Sequence, residues 1–171
     1  MEKIFYTDNT TLSTEAALKK IFLEYYETDD AEILRTKNGK PYVKGGLYFS
    51  VTHTRNRLYI IFSDHEIGLD AESLLRKPRY TSIVKKFRPA EQLEIGCSED
   101  FLKHWIVKES AVKYMGSTLA ADLSKLQYAN ETLTYQDKEF PAKITLLRHE
   151  EFILSVCGNR RFDNALFVKF V

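Results

Sequence analysis

The fold is decided by Ile67-Gly68-Leu69-Asp70-Ala71-Glu72, read with Trp105-Ile106-Val107-Lys108-Glu109-Ser110-Ala111-Val112-Lys113. The first piece is an apolar run that ends in two acids. As a strand it turns Asp70 and Glu72 to one face, because strand side chains alternate with period two. The second piece belongs to a longer helical pattern, Glu99 to Met115, whose apolar set is Phe101, Leu102, Trp105, Ile106, Val112 and Met115. Within it Glu109 and Lys113 stand at i and i+4 and share a helix face. Taken singly, both signals are ordinary. An isolated D-x-E is usually a solvated strand end, and Glu and Lys four apart are usually a surface ion pair. Together, three acids and a lysine that can converge make a site for a hard cation bound to a phosphate.

Working outward, the segments on either side alternate between helix and strand signals. Ile4 to Tyr6 reads as a short strand. Ser13 or Thr14 caps a helix whose apolar positions are Ala17, Leu18, Ile21, Phe22 and Tyr25. Ile33 to Arg35 is extended, and Asn38-Gly39 before Lys40-Pro41 is a turn. Leu47 to Val51 and Leu58 to Phe62 are β-rich runs around a polar loop at Thr54, Arg55 and Asn56. Between Arg76 and Cys97 the chain is charge-rich, with a helix expected over Thr81 to Phe87. Gly116 stops the long helix, and a short helical turn is expected at Leu123 to Leu126. Strands are then expected at Gln127 to Ala129, Leu133 to Gln136, Ala142 to Leu147, Phe152 to Cys157 and Ala165 to Phe170. The fold class is therefore α+β, with two pseudo-equivalent halves, each a helix packed on a small antiparallel sheet. The expected boundary divides residues 1–64 from 65–171.

Bulk properties narrow the function. A chain of 171 residues buries a sizeable core. A net charge of +1 gives no general attraction to nucleic acid. The apolar run Leu58 to Phe62 is far too short to span a bilayer, and Met1 to Asp8 lacks a signal-peptide core. Cys97 and Cys157 form neither a disulfide framework nor a metal-ligand spacing, which fits reduced thiols in a cytoplasmic protein.

Four motifs in order carry a family resemblance: Gly39-Lys40-Pro41, then Phe49-Ser50-Val51-Thr52-His53-Thr54, then Ile67 to Glu72, then Trp105 to Lys113. This series resembles that of the 4′-phosphopantetheinyl transferases, in particular the Sfp-like, pseudo-dimeric branch. That family carries G-K-P, F-N-x-S-H-S, (I/V)-G-(I/V)-D-x-E and W-x-x-K-E-x-x-x-K. The chain departs from the pattern at Ser50, where the family has Asn, and at Thr52 and Thr54, where it has Ser. Its N-terminal segment is also shorter, without the basic residues that the family places there for coenzyme A.

The resemblance implies transfer of 4′-phosphopantetheine from coenzyme A to a serine of an apo acyl, aryl or peptidyl carrier protein, releasing adenosine 3′,5′-bisphosphate. It implies Mg²⁺, with Mn²⁺ able to replace it, held by Asp70, Glu72 and Glu109. Glu109 is ligand or base, and Lys113 neutralises the leaving bisphosphate. Lys40, Pro41, Thr52 and His53 are expected around the nucleotide phosphates, with a secondary phosphate role for Lys108. The segment from Arg76 to Arg88 carries six basic residues (Arg76, Lys77, Arg79, Lys85, Lys86 and Arg88) and no acid. It is expected to dock an acidic carrier. A monomer with one site per chain is expected. The alternatives are a metal-dependent nucleotide phosphohydrolase and a non-catalytic coenzyme A-binding protein.

Overall fold

A computed structural model of the chain describes residues 2–9, 11–28, 31–37 and 39–170. In chain order the elements begin β1 (Lys3–Thr7), α1 (Thr14–Tyr25), β2 (Ile33–Arg35), β3 (Pro41–Val43), β4 (Leu47–Thr54), β5 (Arg57–Ser63) and β6 (Ile67–Ser73). Then come the helices α2 (Thr81–Val84), α3 (Pro89–Glu94), α4 (Ser98–Met115) and α5 (Leu119–Asp122). The chain continues with β7 (Leu126–Ala129), β8 (Thr132–Tyr135), β9 (Lys138–Glu139), β10 (Lys143–His149), β11 (Phe152–Gly158) and β12 (Leu166–Lys169).

The molecule is α+β, and its order of layers follows from the side-chain pattern. Leu58, Ile60 and Phe62 of β5 pack with Ala17, Leu18, Ile21 and Phe22 of α1. The alternate residues Tyr59 and Ile61 pack with Ile67 and Leu69 of β6 and with Phe152, Leu154 and Val156 of β11. β5 is therefore buried at every position. So is β11, whose Cys157 packs with Val107, Ala111 and Val112 of α4. The layers run α1, first sheet, second sheet, α4. The first sheet has six strands in the order β12-β1-β5-β4-β3-β2, and the second has three, β10-β11-β6. A small sheet, β7-β8-β9, completes the fold. All pairings are antiparallel except β1 with β12. β12 comes from beyond residue 65, yet it is a strand of the first sheet.

Local signals account for the helix ends. Ser13 Oγ accepts from Ala16 N at 3.1 Å and starts α1. Gly116, with φ of 64°, caps α4 in the left-handed region that glycine tolerates best. The helix expected over Thr81 to Phe87 is shorter, Thr81–Val84, and α3 follows it unexpectedly. The short helix expected at Leu123 to Leu126 lies earlier, at Leu119–Asp122, because Thr118 caps it there by accepting from Ala121 N. Leu126 instead opens β7 and is fully buried. The expected Asn38-Gly39 turn falls partly outside the described residues. Gly39 itself has φ of +83°.

Candidate active site

The site sits where β4 of the first sheet, β6 at the edge of the second sheet and α4 meet. Gly68 sets the approach of helix to strand. A Cβ built there would lie 1.9 Å from the Ser110 carbonyl oxygen and 2.6 Å from Tyr114 N. The contact is fastened below by Ser110 Oγ and Ser155 Oγ, 2.8 Å apart and both buried. With backbones this close, Lys113 Nζ donates to Asp70 Oδ1 at 2.8 Å and to the Leu69 carbonyl at 2.9 Å.

The carboxylates are distinct in environment. Asp70 is buried, and its Oδ1 also accepts from Thr52 Oγ1 at 2.8 Å. Glu72 accepts from Thr54 Oγ1 at 3.2 Å on one oxygen and from Arg76 on the other. Burial raises the Glu72 pKa, with Arg76 opposing and Asp70 adding. The Glu109 carboxylate makes no hydrogen bond to any described residue. Its pKa is pushed up to about 7 by burial first and by the Asp70 charge next, while Lys113 opposes and Glu72 adds. The three acids are thus near enough to repel one another.

Among the described residues no three His, Cys, Asp or Glu side chains are drawn together as a preformed metal cage. The chemistry of the donor set nevertheless fits a small hard dication. All the donors are carboxylate oxygens, they are partly buried, and they stand in mutual repulsion that a cation relieves.

Beside this set lies a cavity of about 330 Å³ lined by Thr14, Lys40, Pro41, Ser50, Lys113 and Ser117, among others. Lys40 is buried, and burial holds its pKa down at about 8. Its Nζ donates to the Tyr114 carbonyl at 2.9 Å and lies 5.5 Å from the Tyr114 ring centroid. It forms no ion pair with a described residue, although the Glu66 charge acts on it, and it lines the cavity. A cavity of about 370 Å³ elsewhere, beside Tyr25, Phe62 and Arg160, has its arginine already paired with Glu2 and Asp64. We therefore place the candidate site at the first cavity.

Two expected roles change, those of Lys108 and Thr52. Lys108 was expected beside phosphate, but it is fully buried. Its three N–H groups go to Glu91 Oε2 at 2.8 Å, the Leu123 carbonyl at 3.2 Å and the Leu126 carbonyl at 2.8 Å. Glu91 is equally buried and also accepts from Arg88 N and Tyr128 N, so the pair ties α3, α4 and β7 together. Thr52 was expected to donate to phosphate, but its one hydroxyl proton goes to Asp70. His53 is exposed at the rim, with Nε2 3.3 Å from Thr14 Oγ1.

In the basic segment, Arg76 pairs with Glu72 and Arg88 with Asp137. Lys77, Arg79, Lys85 and Lys86 are exposed and pair with no described residue. The sequence names Thr54 as a motif hydroxyl and Arg76 as a docking residue, but it does not disclose that both contact Glu72, nor the role of the Tyr114 carbonyl. The spacing of Thr52 and Thr54, which equals that of Asp70 and Glu72, was the signal available for the first.

Among the described residues no helix is long and apolar enough to cross a membrane. No family model matches the chain. Over 151 residues the chain is 23% identical to the 4′-phosphopantetheinyl transferase gsp of Aneurinibacillus migulanus, a match covering 78% of the chain and 61% of the relative. The chain thus spans about three-fifths of that relative's length, and it is similar in sequence to a phosphopantetheinyl transferase.

Proposed function

We propose that the chain is a Sfp-like 4′-phosphopantetheinyl transferase, acting on coenzyme A and an apo acyl, aryl or peptidyl carrier protein. One observation carries the reading. Lys113 on α4 donates to Asp70 on β6, and Glu109 on α4 lies within the influence of the Asp70 and Glu72 charges, beside a cavity that Lys40 and Lys113 line. A pure coenzyme A-binding protein needs the cations but not the three acids.

In this reading the carrier serine oxygen bonds to the phosphorus on the pantetheine side of the pyrophosphate. The bridging P–O bond then breaks, and adenosine 3′,5′-bisphosphate leaves. Asp70, Glu72 and Glu109 would hold Mg²⁺, or Mn²⁺ in its place, whose charge offsets that of the pyrophosphate. Alternatively to holding the cation, Glu109 is the base that takes the serine proton, and in the metal-free chain burial raises its pKa to about 7, near the working pH. Lys113 is held in place by Asp70 and the Leu69 carbonyl and faces the leaving phosphate as a preorganised charge. Lys40 completes the anion site from the first sheet, and Pro41 and His53 bound the nucleotide. Both walls belong to one chain, which supports a monomer with one site. The unpaired Lys77, Arg79, Lys85 and Lys86 offer an acidic carrier a complementary surface.

Intact-mass analysis of apo-carriers incubated with coenzyme A and Mg²⁺ tests the reading. A gain of one phosphopantetheine on the carrier supports it. Release of free phosphopantetheine without a modified carrier makes the chain a phosphohydrolase.

A further inference from the structure

Three side chains of β4 meet β6, and two of them, Thr52 and Thr54, have the same spacing as the acids Asp70 and Glu72 that they contact. Ser50 Oγ accepts from Leu69 N at 2.9 Å, Thr52 Oγ1 donates to Asp70 Oδ1 at 2.8 Å, and Thr54 Oγ1 donates to Glu72 Oε2 at 3.2 Å. All three are buried. β4 and β6 belong to different sheets, so no backbone ladder fixes one against the other, and these hydroxyls bridge the gap. Lys113 donates to the same Asp70 oxygen as Thr52, and Asp70 Oδ2 has no hydrogen bond to any described residue.

We infer that Thr52 and Thr54 are positioning residues that hold one oxygen each of Asp70 and Glu72 and so orient both carboxylates for a divalent cation, which takes the place of Arg76 on the second Glu72 oxygen. The inference rests on the metal-assisted reading above. A free carboxylate rotates, and ordering it on binding costs entropy that a fixed hydrogen bond removes beforehand. Threonine suits the task better than serine, because β-branching stiffens χ1 and aims the hydroxyl. The assignment also separates Thr52 from the phosphates. A hydroxyl has a single proton, and that of Thr52 is committed to Asp70.

The test compares Thr52→Val, which keeps the shape and removes the proton, with Thr52→Ser, which keeps the proton. Thr54→Val is made in parallel, and thermal unfolding of each variant controls for folding. Mn²⁺ titrations followed by electron paramagnetic resonance, with and without coenzyme A, read metal affinity directly. Calorimetry without metal reads coenzyme A affinity. The expected result is a loss of Mn²⁺ affinity of about tenfold or more in each valine variant. Thr52→Ser should restore most of it, and coenzyme A affinity should be unchanged. Wild-type Mn²⁺ affinity in a folded valine variant overturns the inference. So does a loss of coenzyme A affinity without metal, which would return the hydroxyl to the phosphates. A wild-type chain that binds no Mn²⁺ in either condition also overturns it. Should wild type bind Mn²⁺, lose it on Thr52→Val and yet modify no carrier, the positioning roles stand and the transferase reading falls.

Discussion

Gly68 on β6 and Ser110 on α4 touch backbone to backbone, with no room for a methyl group between them. The contact carries no charge itself, yet it lies within three residues of Asp70, Glu109 and Lys113 and sets how far Glu109 and Lys113 stand from Asp70. A helix normally rides on a strand at side-chain distance. Here the missing Cβ lets it come closer, and Lys113 reaches both the Asp70 carboxylate and the Leu69 carbonyl.

Gly68→Ala should therefore cost both stability and geometry. The added carbon would meet backbone atoms, which cannot swing aside, so strand and helix must separate. A loss of about 3 kcal/mol is expected from overpacking of this kind. Urea denaturation measures it, and the Mg²⁺ needed for half-maximal transfer should rise in the fraction that folds. An unchanged midpoint would mean that the helix shifts without penalty.

Glu109 predicts a pH dependence with a defined sign. Its pKa in the folded chain, about 7, lies above the ordinary value of 4.5, so folding favours the protonated form. The associated stability is fully present below the ordinary value and is lost as pH rises through about 7. Glu109→Gln does not titrate, so it should gain in melting temperature relative to wild type as pH rises from about 5 to about 8. In the proposed mechanism transfer needs the carboxylate, so activity should appear over the same window. More Mg²⁺ should move its midpoint to lower pH, because a cation favours the ionised form. A transfer rate flat from about pH 5 to 8 would remove Glu109 from the chemistry.

Lys40 titrates in the opposite sense. Burial holds it at about 8, so raising pH through that value removes a positive charge from the cavity. Coenzyme A affinity, measured by calorimetry, should fall across this range and become flat in Lys40→Met. A slope that survives the substitution would assign it to another group.

Removing Lys108 should unfold rather than inactivate. Lys108→Ala strands the buried carboxylate of Glu91 without its partner, a change that costs about 3–5 kcal/mol. Replacing both residues by leucine should recover much of that loss. Chemical denaturation of the single and double variants reads the stability. Coenzyme A affinity of the folded fraction should match wild type, and a selective loss of that affinity would restore the phosphate role.

Reversal of Lys85 and Lys86 to Glu should raise the KM for carrier severalfold and leave coenzyme A affinity unchanged, with the effect fading as salt rises. Arg88 is less useful for this purpose, since Asp137 already pairs with it. Carrier kinetics at low and high salt, beside calorimetry of coenzyme A, make the comparison.

How much the sequence disclosed depended on whether a residue's partner was near in the chain. α4 was legible because its apolar residues repeat and Gly116 ends it. α3 was not, because its one buried side chain is the charged Glu91 and no apolar period exists to be seen. The same distance effect governed the site. Asp70 with Glu72, and Glu109 with Lys113, are local pairs whose shared face follows from strand and helix periods. Lys108 carries a charge that reads as exposed, and the partner that buries it lies seventeen residues earlier in sequence with no pattern linking the two. Thr52 was legible as a hydroxyl beside the site, but where its proton goes depends on how two separate sheets pack.

The strand β12 carries one more consequence, in the order of folding. Leu166 pairs with Lys3 across nearly the whole chain, and the ion pair of Lys169 with Asp8 fastens the same edge. The first sheet cannot close until these residues have been synthesised, although its other five strands lie within residues 3–63. Everything between β5 and β12, including the acids on β6 and α4, must collapse first or be carried along as one long loop. Contacts this distant slow the search for the native state, because the entropy of closing the loop is lost before the pairing rewards it. During synthesis the exposed edge of β1 would wait, unpaired, for a strand still inside the ribosome.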